Sequence, residues 1–346
     1  MTVEIDYMLS GIKNILVIRN DKIGDFMLIW PALSYIKTNI PDCKITCIVS
    51  KQVFDIAKNC SYIDEVIMDE SIRKLKTKLK GSNFDASISF FSTFRIGYLV
   101  KTLNIPIRVA PKTKLAQFFY NHKILQKRSL SLKPEHEYNT DLVVELFKIS
   151  GISEIEEMTA PPYLKLDNKV IEEKREMFIR SNNINANKKT IFIHPGSGGS
   201  SKNLTINMYA KICKGLRKFD DYNFLIHCSN DELNLARSFK TLLLPEVNIK
   251  IITPTTQPVE MLYNINNCDI FIAGSTGPLH IAGALDKKTI AFYPNKKSST
   301  KLRWQTINSF HNRLEFTDTD TSNEKPSLSI NINKILLEIQ RFFGSS

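Results

Sequence analysis

The sequence predicts an α/β protein with two doubly wound domains, and three observations lead to this class. Short apolar runs alternate with amphipathic stretches, as in βαβ units with parallel strands. The alternation stops near residue 150 and restarts near residue 190. The chain has 346 residues, of which 42% are hydrophobic, and this is enough for two cores of ordinary size.

The first half is predicted to contain strands whose apolar runs are typical of buried parallel sheets. These strands are Asn14–Ile18, Lys44–Val49, Glu65–Met68, Asp85–Phe91 and Arg108–Ala110. Apolar residues at three- and four-residue spacing between them predict helices. The predicted helices are Phe26–Asn39, Gln52–Lys58, Ile72–Lys80 and Phe94–Leu103.

A polar segment over 161–188, with one helix, is predicted to link the halves. The second half repeats the alternation, with strands at Thr190–His194, Asn223–Cys228, Ile249–Thr253, Asp269–Ala273 and Thr289–Tyr293. Its helices are predicted at Asn207–Phe219, Glu232–Leu244, Pro258–Asn266 and Pro278–Leu285. We expect domains over 1–160 and 189–329, and a C-terminal helix over 330–346 that packs back on the N-terminal domain.

Several classes of protein are excluded by composition. No apolar stretch reaches the roughly 18 residues of a membrane-spanning helix, so a membrane-embedded protein is not expected. Glu4 and Asp6 lie where a secretory signal would have a basic segment before its apolar run. The six cysteines form no C-x-x-C pair, which favours reduced thiols in a cytoplasmic protein and disfavours a zinc site.

The net charge of +12 is concentrated in one stretch. No acidic residue lies between Asp85 and Glu135, whereas nine lysines and arginines do. Such a stretch attracts an anionic membrane, a phosphorylated glycolipid or a nucleic acid, or forms a solvated face without a partner. Because no basic-aromatic RNA-binding motif or zinc pattern accompanies it, we do not expect nucleic acid.

The loop after the first strand offers a candidate general base. Gly24 permits a tight turn that would place the carboxylate of Asp25 at a helix N-terminus. Aspartate at this position is either an N-cap or a base that takes a proton from an acceptor hydroxyl.

The loop after Thr190–His194 offers an anion-binding site. Ser197 lies among glycines whose amides can approach a phosphate, and Lys202 adds a full positive charge. The loop matches neither a Walker A motif nor G-x-G-x-x-G, because Ser201 stands where each requires glycine. A flexible turn without a ligand is the alternative.

The loop after Asp269–Ala273 offers a second anion site, with Pro278 well placed to open a helix. Amides of Thr276, Gly277 and Leu279 are candidates for phosphate contacts, and His280 is either a ligand contact or a structural histidine. Glu232, at the start of another helix, is a candidate acceptor for ribose hydroxyls or a plain helix-terminal acid.

Together these loops resemble family 9 glycosyltransferases, the bacterial heptosyltransferase group of lipopolysaccharide synthesis. The matching segments are ILVIRNDKIGDFMLIWP at Ile15–Pro31, HPGSGGSSK at His194–Lys202 and DIFIAGSTGPLHIAGAL at Asp269–Leu285. The resemblance implies a GT-B fold, in which two Rossmann-like domains face each other across a cleft. It also implies inversion at the anomeric carbon without a metal ion or cofactor.

The resemblance also implies roles for individual residues. Asp25 matches the family's catalytic aspartate, Lys202 its phosphate-contacting lysine and Glu232 an acid near the ribose. Residues matching the diphosphate loop are Thr276, Gly277, Leu279 and His280. Ser275 stands where the family usually has aspartate, which leaves the identity of the donor sugar open. Ser197 and Ser275 are included among the donor-binding candidates.

The function implied by the resemblance is transfer of a heptose from ADP-heptose to a lipopolysaccharide or lipooligosaccharide core. The acceptor, lipid A–Kdo or core oligosaccharide, is anionic and lies at the cytoplasmic face of the inner membrane, so we expect peripheral contact there. The acceptor-binding candidates are Lys112, Lys114, Lys123, Lys127 and Arg128. Another nucleotide sugar, a protein acceptor or an inactive nucleotide-sugar-binding protein are the alternatives.

Overall fold

The computed structural model describes residues 11–113, 115–199, 202–320 and 326–344. The chain divides into two compact units. Unit 1 comprises Met1–Arg128 and Lys133–Tyr163, and unit 2 comprises Ser129–Leu132 and Leu164–Ser346. Each unit contains one six-stranded sheet in which every strand pair is parallel.

The strands of unit 1 are β1 (Asn14–Arg19), β2 (Lys44–Val49), β3 (Glu65–Met68), β4 (Ala86–Ser89), β5 (Ile107–Pro111) and β6 (His122–Ile124). They lie in the order β3-β2-β1-β4-β5-β6. Ile15 of β1 lies opposite Ile45 on one side and Ala86 on the other, and all three are buried. Burial on both faces explains why these strands read as continuous apolar runs.

The helices of unit 1 are α1 (Ile23–Met27), α2 (Trp30–Asn39), α3 (Phe54–Ala57), α4 (Ile72–Lys78), α5 (Phe94–Thr102) and α6 (Glu135–Ile149). The sequence predicts one helix over Phe26–Asn39, but the structure has a break after Met27. Pro31 explains the restart, because proline lacks an N–H donor and is best tolerated in the first turn of a helix.

The strands of unit 2 are β7 (Thr190–His194), β8 (Asn223–Ile226), β9 (Ile249–Ile251), β10 (Ile270–Gly274), β11 (Lys288–Tyr293) and β12 (Arg313–Thr317). Their order is β12-β11-β10-β7-β8-β9, so this sheet has the same topology as that of unit 1. In each unit the strand order reverses between the first and fourth strands. Ligands of doubly wound folds bind at the carboxyl ends of the strands beside that switch point.

The helices of unit 2 are α7 (Asn168–Asn182), α8 (Ile206–Leu216), α9 (Leu233–Leu243), α10 (Pro258–Asn266), α11 (Gly277–Ala284), α12 (Lys301–Trp304) and α13 (Ile332–Gly344). Helix α13 buries Ile335 and Ile339 in the core of unit 2, and the side chain of Leu336 lies against Gly215 of α8. The expectation that this helix packs on the N-terminal domain is therefore replaced by packing within unit 2. The apolar side of α13 packs on α8, because Gly215 has no side chain and leaves room for Leu336.

The sequence analysis missed helix α6 and two edge strands, β6 and β12. β6 has only three residues, and β12 contains charged positions, so neither shows the apolar run that predicts a buried strand. Among the described residues, no helix has the length and apolar character needed to cross a membrane.

Candidate functional site

In unit 1 the loop after β1 carries a compact charged cluster. The guanidinium of buried Arg19 donates to Asp25 Oδ1 at 2.5 Å and to Asp21 Oδ1 at 2.9 Å. A third donor of Arg19 reaches the carbonyl oxygen of Phe90, which follows β4, at 3.3 Å. Because β1 and β4 flank the switch point, the Asp25 carboxylate lies where this fold is expected to bind a ligand.

Asp25 is not an N-cap in the structure. The N-cap of α1 is Lys22, whose side chain makes no capping hydrogen bond, and Asp25 lies inside the first turn. The Asp25 side chain is 20% exposed, and one of its oxygens is held by Arg19. This arrangement orients the carboxylate and leaves it accessible to a hydroxyl, as a general base requires.

The two carboxylates beside Arg19 differ in their surroundings. Burial raises the pKa of Asp21 to about 6 against the opposing effect of Arg19, and the charge of Asp25 adds to the rise. Burial disfavours the charge of Arg19, but Asp21, Asp25 and Glu135 outweigh it and raise the pKa of the guanidinium. Arg19 therefore remains positive and balances more than one carboxylate.

In unit 2 the loop after β7 is held by Asn203. The Asn203 amide nitrogen donates to the carbonyl oxygens of Pro195 and Gly196 at 3.1 and 3.0 Å. Its oxygen accepts from Tyr209 Oη at 2.8 Å. A Cβ on Gly274, at the end of β10, would lie 2.5 Å from that same oxygen. The loop after β7 is thus fixed against the carboxyl end of β10, at the switch point of this sheet.

Lys202 is oriented by a carboxylate that the sequence analysis did not identify. Its ammonium lies 2.9 Å from Asp318 Oδ2, just after β12. The amides of Asp320 and Ser329 donate to Asp318 Oδ1 at 3.0 and 2.8 Å. Burial disfavours the charge of Asp318, yet Lys202 and these two amides outweigh it and lower the pKa of the carboxyl. The side chain of Lys202 is therefore held in position by an ionised carboxylate.

Glu232 lies directly against the loop after β7. Gly198 N donates to Glu232 Oε1 at 3.2 Å, while the amide and hydroxyl of Ser229 donate to Oε2 at 3.0 Å each. A Cβ on Gly196 would lie 1.9 Å from Oε1, so any larger residue there would force the Glu232 carboxylate to move. Burial opposes ionisation, but His194 and the donors from Ser229 and Gly198 outweigh it and lower the pKa of Glu232. Glu232 thus holds the loop after β7 in place. Its contact with a ribose hydroxyl of the donor stays a proposal.

Buried polar atoms in the first turn of α11 and just after β8 have no hydrogen-bond partner among the described residues. Thr276 is its N-cap and is 4% exposed, yet its hydroxyl has no hydrogen-bond partner among the described residues. Nδ1 of His280, one turn along, and Nδ1 of buried His227, after β8, also lack partners within the described chain. Burial lowers the pKa of His280 to about 4 and that of His227 to about 3, with His194 adding to the effect at His227. Unpaired buried donors and acceptors are costly, which favours a ligand that satisfies them.

The remaining donor candidates lie in the same two loops. Ser197 and Ser275 are half-buried, and the Leu279 side chain is fully buried, so only the amide of Leu279 is a candidate contact. Gly198 and Gly199 have φ of 52° and 70°, a backbone conformation that favours glycine.

The acceptor-binding candidates in unit 1 differ in whether their side chains are exposed or paired within the chain. Lys112, Lys123 and Lys127 are exposed. Arg128 instead donates to Glu135 Oε1 at 2.5 Å and to Gln126 Oε1 at 2.8 Å. Lys114 lies outside the described residues. The basic character of this stretch is therefore carried at the surface mainly by lysines.

Two further findings concern the rest of the described chain. No group of three His, Cys, Asp or Glu side chains within it is arranged to hold a metal ion. A cavity of about 340 Å³, lined by Lys188, Asn223 and Lys250 among others, lies at the amino end of β8. Because ligands of this fold bind at carboxyl ends, we do not assign the donor to that cavity.

The sequence analysis did not identify four residues that contribute to the candidate site. For two of them, the neighbouring sequence gives an indication of the role. Arg19 ends a predicted strand within a charged loop, and Asn203 follows Lys202 directly. Asp318 and His227 have no local signal, because their partners come from distant parts of the chain. For Asp318 and His227, the order of the strands supplies the missing information. Arg19 and Asn203 instead have partners within eight residues in sequence.

Comparison with known proteins shows which proteins this chain resembles. The family model described as "Glycosyltransferase family 9 (heptosyltransferase)" matches residues 72–325. A Haemophilus influenzae protein described as "Putative glycosyltransferase" is 37% identical, with 95% of this chain and 96% of that protein covered. Lipooligosaccharide heptosyltransferase 2 of Campylobacter jejuni is 24% identical, with 83% of this chain and 82% of that protein covered.

A solved structure with the same architecture is that of an E. coli ADP-heptose lipopolysaccharide heptosyltransferase II. The TM-score is 0.76 at 16% identity, with 96% of this chain and 99% of that chain covered. This likeness confirms the predicted GT-B fold of two Rossmann-like sheets.

Proposed function

Because this chain belongs to glycosyltransferase family 9 and is a glycosyltransferase, we propose that it transfers a heptose from ADP-heptose to a lipopolysaccharide or lipooligosaccharide core. The relatives support the two substrates, since the E. coli protein is named for ADP-heptose and the C. jejuni protein for lipooligosaccharide. The proposed place of the reaction is the cytoplasmic face of the inner membrane, where such an acceptor is exposed.

The observation that carries this proposal is the unpaired hydroxyl of Thr276. Among the described residues it has no partner, and it is buried at the N-terminus of α11, beside the switch point of unit 2. A helix N-terminus favours negative charge, and its free amides suit phosphate oxygens. A diphosphate would give Thr276 a partner, and the charge of Lys202 would be placed to contact the same group.

The proposed mechanism is a direct displacement. Asp25 takes the proton of the acceptor hydroxyl as that oxygen forms a bond to the anomeric carbon. The bond from that carbon to the diphosphate breaks on the opposite face, so the configuration inverts. Negative charge then develops on the β-phosphate, where Lys202 and the amides of Gly277 and Leu279 stabilise it without a metal ion.

Purified full-length protein tests the proposal with a panel of ADP-, UDP- and GDP-sugars and an extracted lipid acceptor. We expect consumption of ADP-heptose alone, product with the inverted anomeric configuration by NMR, and undiminished turnover in EDTA. Consumption of a different nucleotide sugar would favour the alternative that this chain, with Ser275 in place of the usual aspartate, uses another donor. Tight nucleotide binding without consumption of any donor would support an inactive binding protein and refute transfer.

A further inference from the structure

Unit 1 carries an exposed aromatic face formed by α5 and the 3-10 helix Leu115–Phe119. We define this aromatic face as Phe94, Tyr98, Leu115 and Phe118, which are 61%, 43%, 68% and 72% exposed. The ring of Phe119 joins the two elements, because its centroid lies 4.8 Å from that of Phe94 and 6.2 Å from that of Tyr98. Phe94 and Tyr98 therefore share one apolar neighbour, Phe119, which follows Phe118 directly in the chain, unlike scattered single apolar residues.

The aromatic face is built on a fixed base. A Cβ on Gly97 would lie 2.6 Å from Cδ2 of Phe119, so the glycine allows the 3-10 helix to approach α5 closely. Phe119 packs on the core that contains Ile96 and Leu99. The exposed side chains thus project from an anchored platform, and their exposure does not result from a loose loop.

Lysine side chains lie beside the aromatic face. Lys101 is exposed three residues after Tyr98 and seven after Phe94, which places all three on one side of α5. The Lys76 ammonium lies 5.3 Å from the centre of the Tyr98 ring, and exposed Lys112 precedes Leu115 by three residues. Arg95 does not contribute a free charge, since it pairs with Asp69. No acidic residue occurs in the sequence between Asp85 and Glu135. The neighbouring carboxylates of Asp69 and Glu70 are already paired with Arg95, Lys74 and Lys78.

We propose that the aromatic face is the surface by which this protein docks on an anionic phospholipid bilayer. Aromatic and leucine side chains enter the boundary between headgroups and acyl chains, while lysines beside them contact anionic headgroups. The absence of acidic side chains from residues 86–134 matches a uniformly negative surface. The inference deepens the proposed function and rests on it for its purpose, because a glycolipid acceptor lies in such a bilayer.

Vesicle sedimentation tests the docking directly. The probe is vesicles of phosphatidylglycerol and phosphatidylethanolamine, compared with neutral phosphatidylcholine vesicles. We expect binding to the anionic vesicles that falls at least roughly fivefold in F94S/F118S, and also in K101E. F310S is the matched control, because Phe310 is 86% exposed in unit 2 and outside the aromatic face. Equal binding by the parent protein and F94S/F118S, with thermal unfolding unchanged, would overturn the proposal.

Two further measurements distinguish membrane docking from self-association and from a failure of the proposed transfer reaction. If sedimentation equilibrium shows a dimer that F94S/F118S dissociates, the face is an interface between copies and the membrane proposal fails. With the donor assay, F94S/F118S should retain transfer to a delipidated core acceptor and lose it on acceptor in vesicles. Should no protein consume any donor while vesicle binding still depends on Phe94 and Phe118, only the proposed function fails.

Discussion

The ammonium of Lys202 lies 2.9 Å from Oδ2 of Asp318, although 116 residues separate the two in sequence. The Asp318 side chain is fully buried and its other oxygen accepts two backbone amides, so its position is fixed. A lysine side chain has several rotatable bonds, and pairing with a fixed carboxylate removes much of that freedom before a ligand binds. Asp318 is thus a positioning residue for Lys202.

Asp318→Asn should weaken donor binding through Lys202. We expect the KM for the donor to rise about tenfold, or about 1.4 kcal/mol, because the ammonium loses its orienting partner.

Lys202→Met should lower kcat on the order of a hundredfold, since it removes charge that stabilises the leaving diphosphate. Steady-state kinetics with varied donor check both.

The matched control is Lys211→Met, which removes an exposed lysine from α8. The double variant Lys202→Met/Asp318→Asn should resemble Lys202→Met, because Asp318 acts on the donor through the lysine. Additive losses in the double variant would show that Asp318 has a separate role.

Asp25→Asn should abolish transfer while nucleotide binding persists. The amide keeps the shape of the side chain but cannot take a proton, so we expect kcat to fall on the order of a hundredfold or more. Nucleotide affinity, measured by calorimetry, should change by less than about threefold, because the nucleotide is assigned to unit 2. Asp42→Asn is the control, since Asp42 is an exposed carboxylate of unit 1. Parallel loss of both properties would indicate a structural role.

Gly196→Ala should displace Glu232. The added Cβ would lie 1.9 Å from Oε1, so the carboxylate must leave its contact with the Gly198 amide. We expect a loss of about 1–3 kcal/mol in the free energy of unfolding of unit 2, measured by chemical denaturation. Glu232→Ala in the same chain should recover part of that loss, because it removes the clash. Strictly additive destabilisation would contradict this account.

Asp21 should make stability fall with rising pH. Its pKa is about 6 in the folded chain against 3.8 when exposed, so the folded state holds the proton more tightly between those values. Stability contributed by protonated Asp21 is therefore present below about pH 4 and is lost as the pH rises toward 6. The difference corresponds to at most about 3 kcal/mol at about 1.36 kcal/mol per pKa unit.

The measurement is the free energy of unfolding of Asp21→Asn and of the parent at pH 4 and pH 7. The variant cannot lose a proton, so its stability relative to the parent should increase between these two values. Asp42→Asn, an exposed change, should show no such increase. A relative stability of Asp21→Asn that is constant or decreases with pH would refute the raised pKa.

Much of the fold could be predicted because it depends on local patterns. The predicted strands Lys44–Val49, Glu65–Met68 and Thr190–His194 have the bounds found in the structure. The helix at Pro258–Asn266 is likewise found as predicted. Burial on both faces of a parallel strand imposes an apolar run, which is visible without knowledge of the rest of the chain.

Helix α6 was missed although its buried residues have helical spacing, but other missed features lack such a pattern. β12 contains Arg313 and Glu315, and its strand character depends on pairing with β11 at the sheet edge. The α1–α2 break depends on Pro31, which lies within one long apolar stretch that reads as a single helix. The direction in which α13 packs depends on which face of α8 is open at Gly215.

The sequence by itself determined the class of fold, the two repeats of strand and helix, and the loops that carry Asp25, Lys202 and Thr276. Those features follow from side-chain periodicity and from glycine and proline, which act over a few residues. Only the tertiary structure decided that Arg19 holds Asp25 and Asp21, that Asp318 holds Lys202, and that Gly97 allows Phe119 to support an exposed aromatic face. Arg19 meets the carbonyl of Phe90, and Lys202 meets Asp318, because each sheet brings the ends of distant parallel strands to one edge, and no local pattern records that strand order.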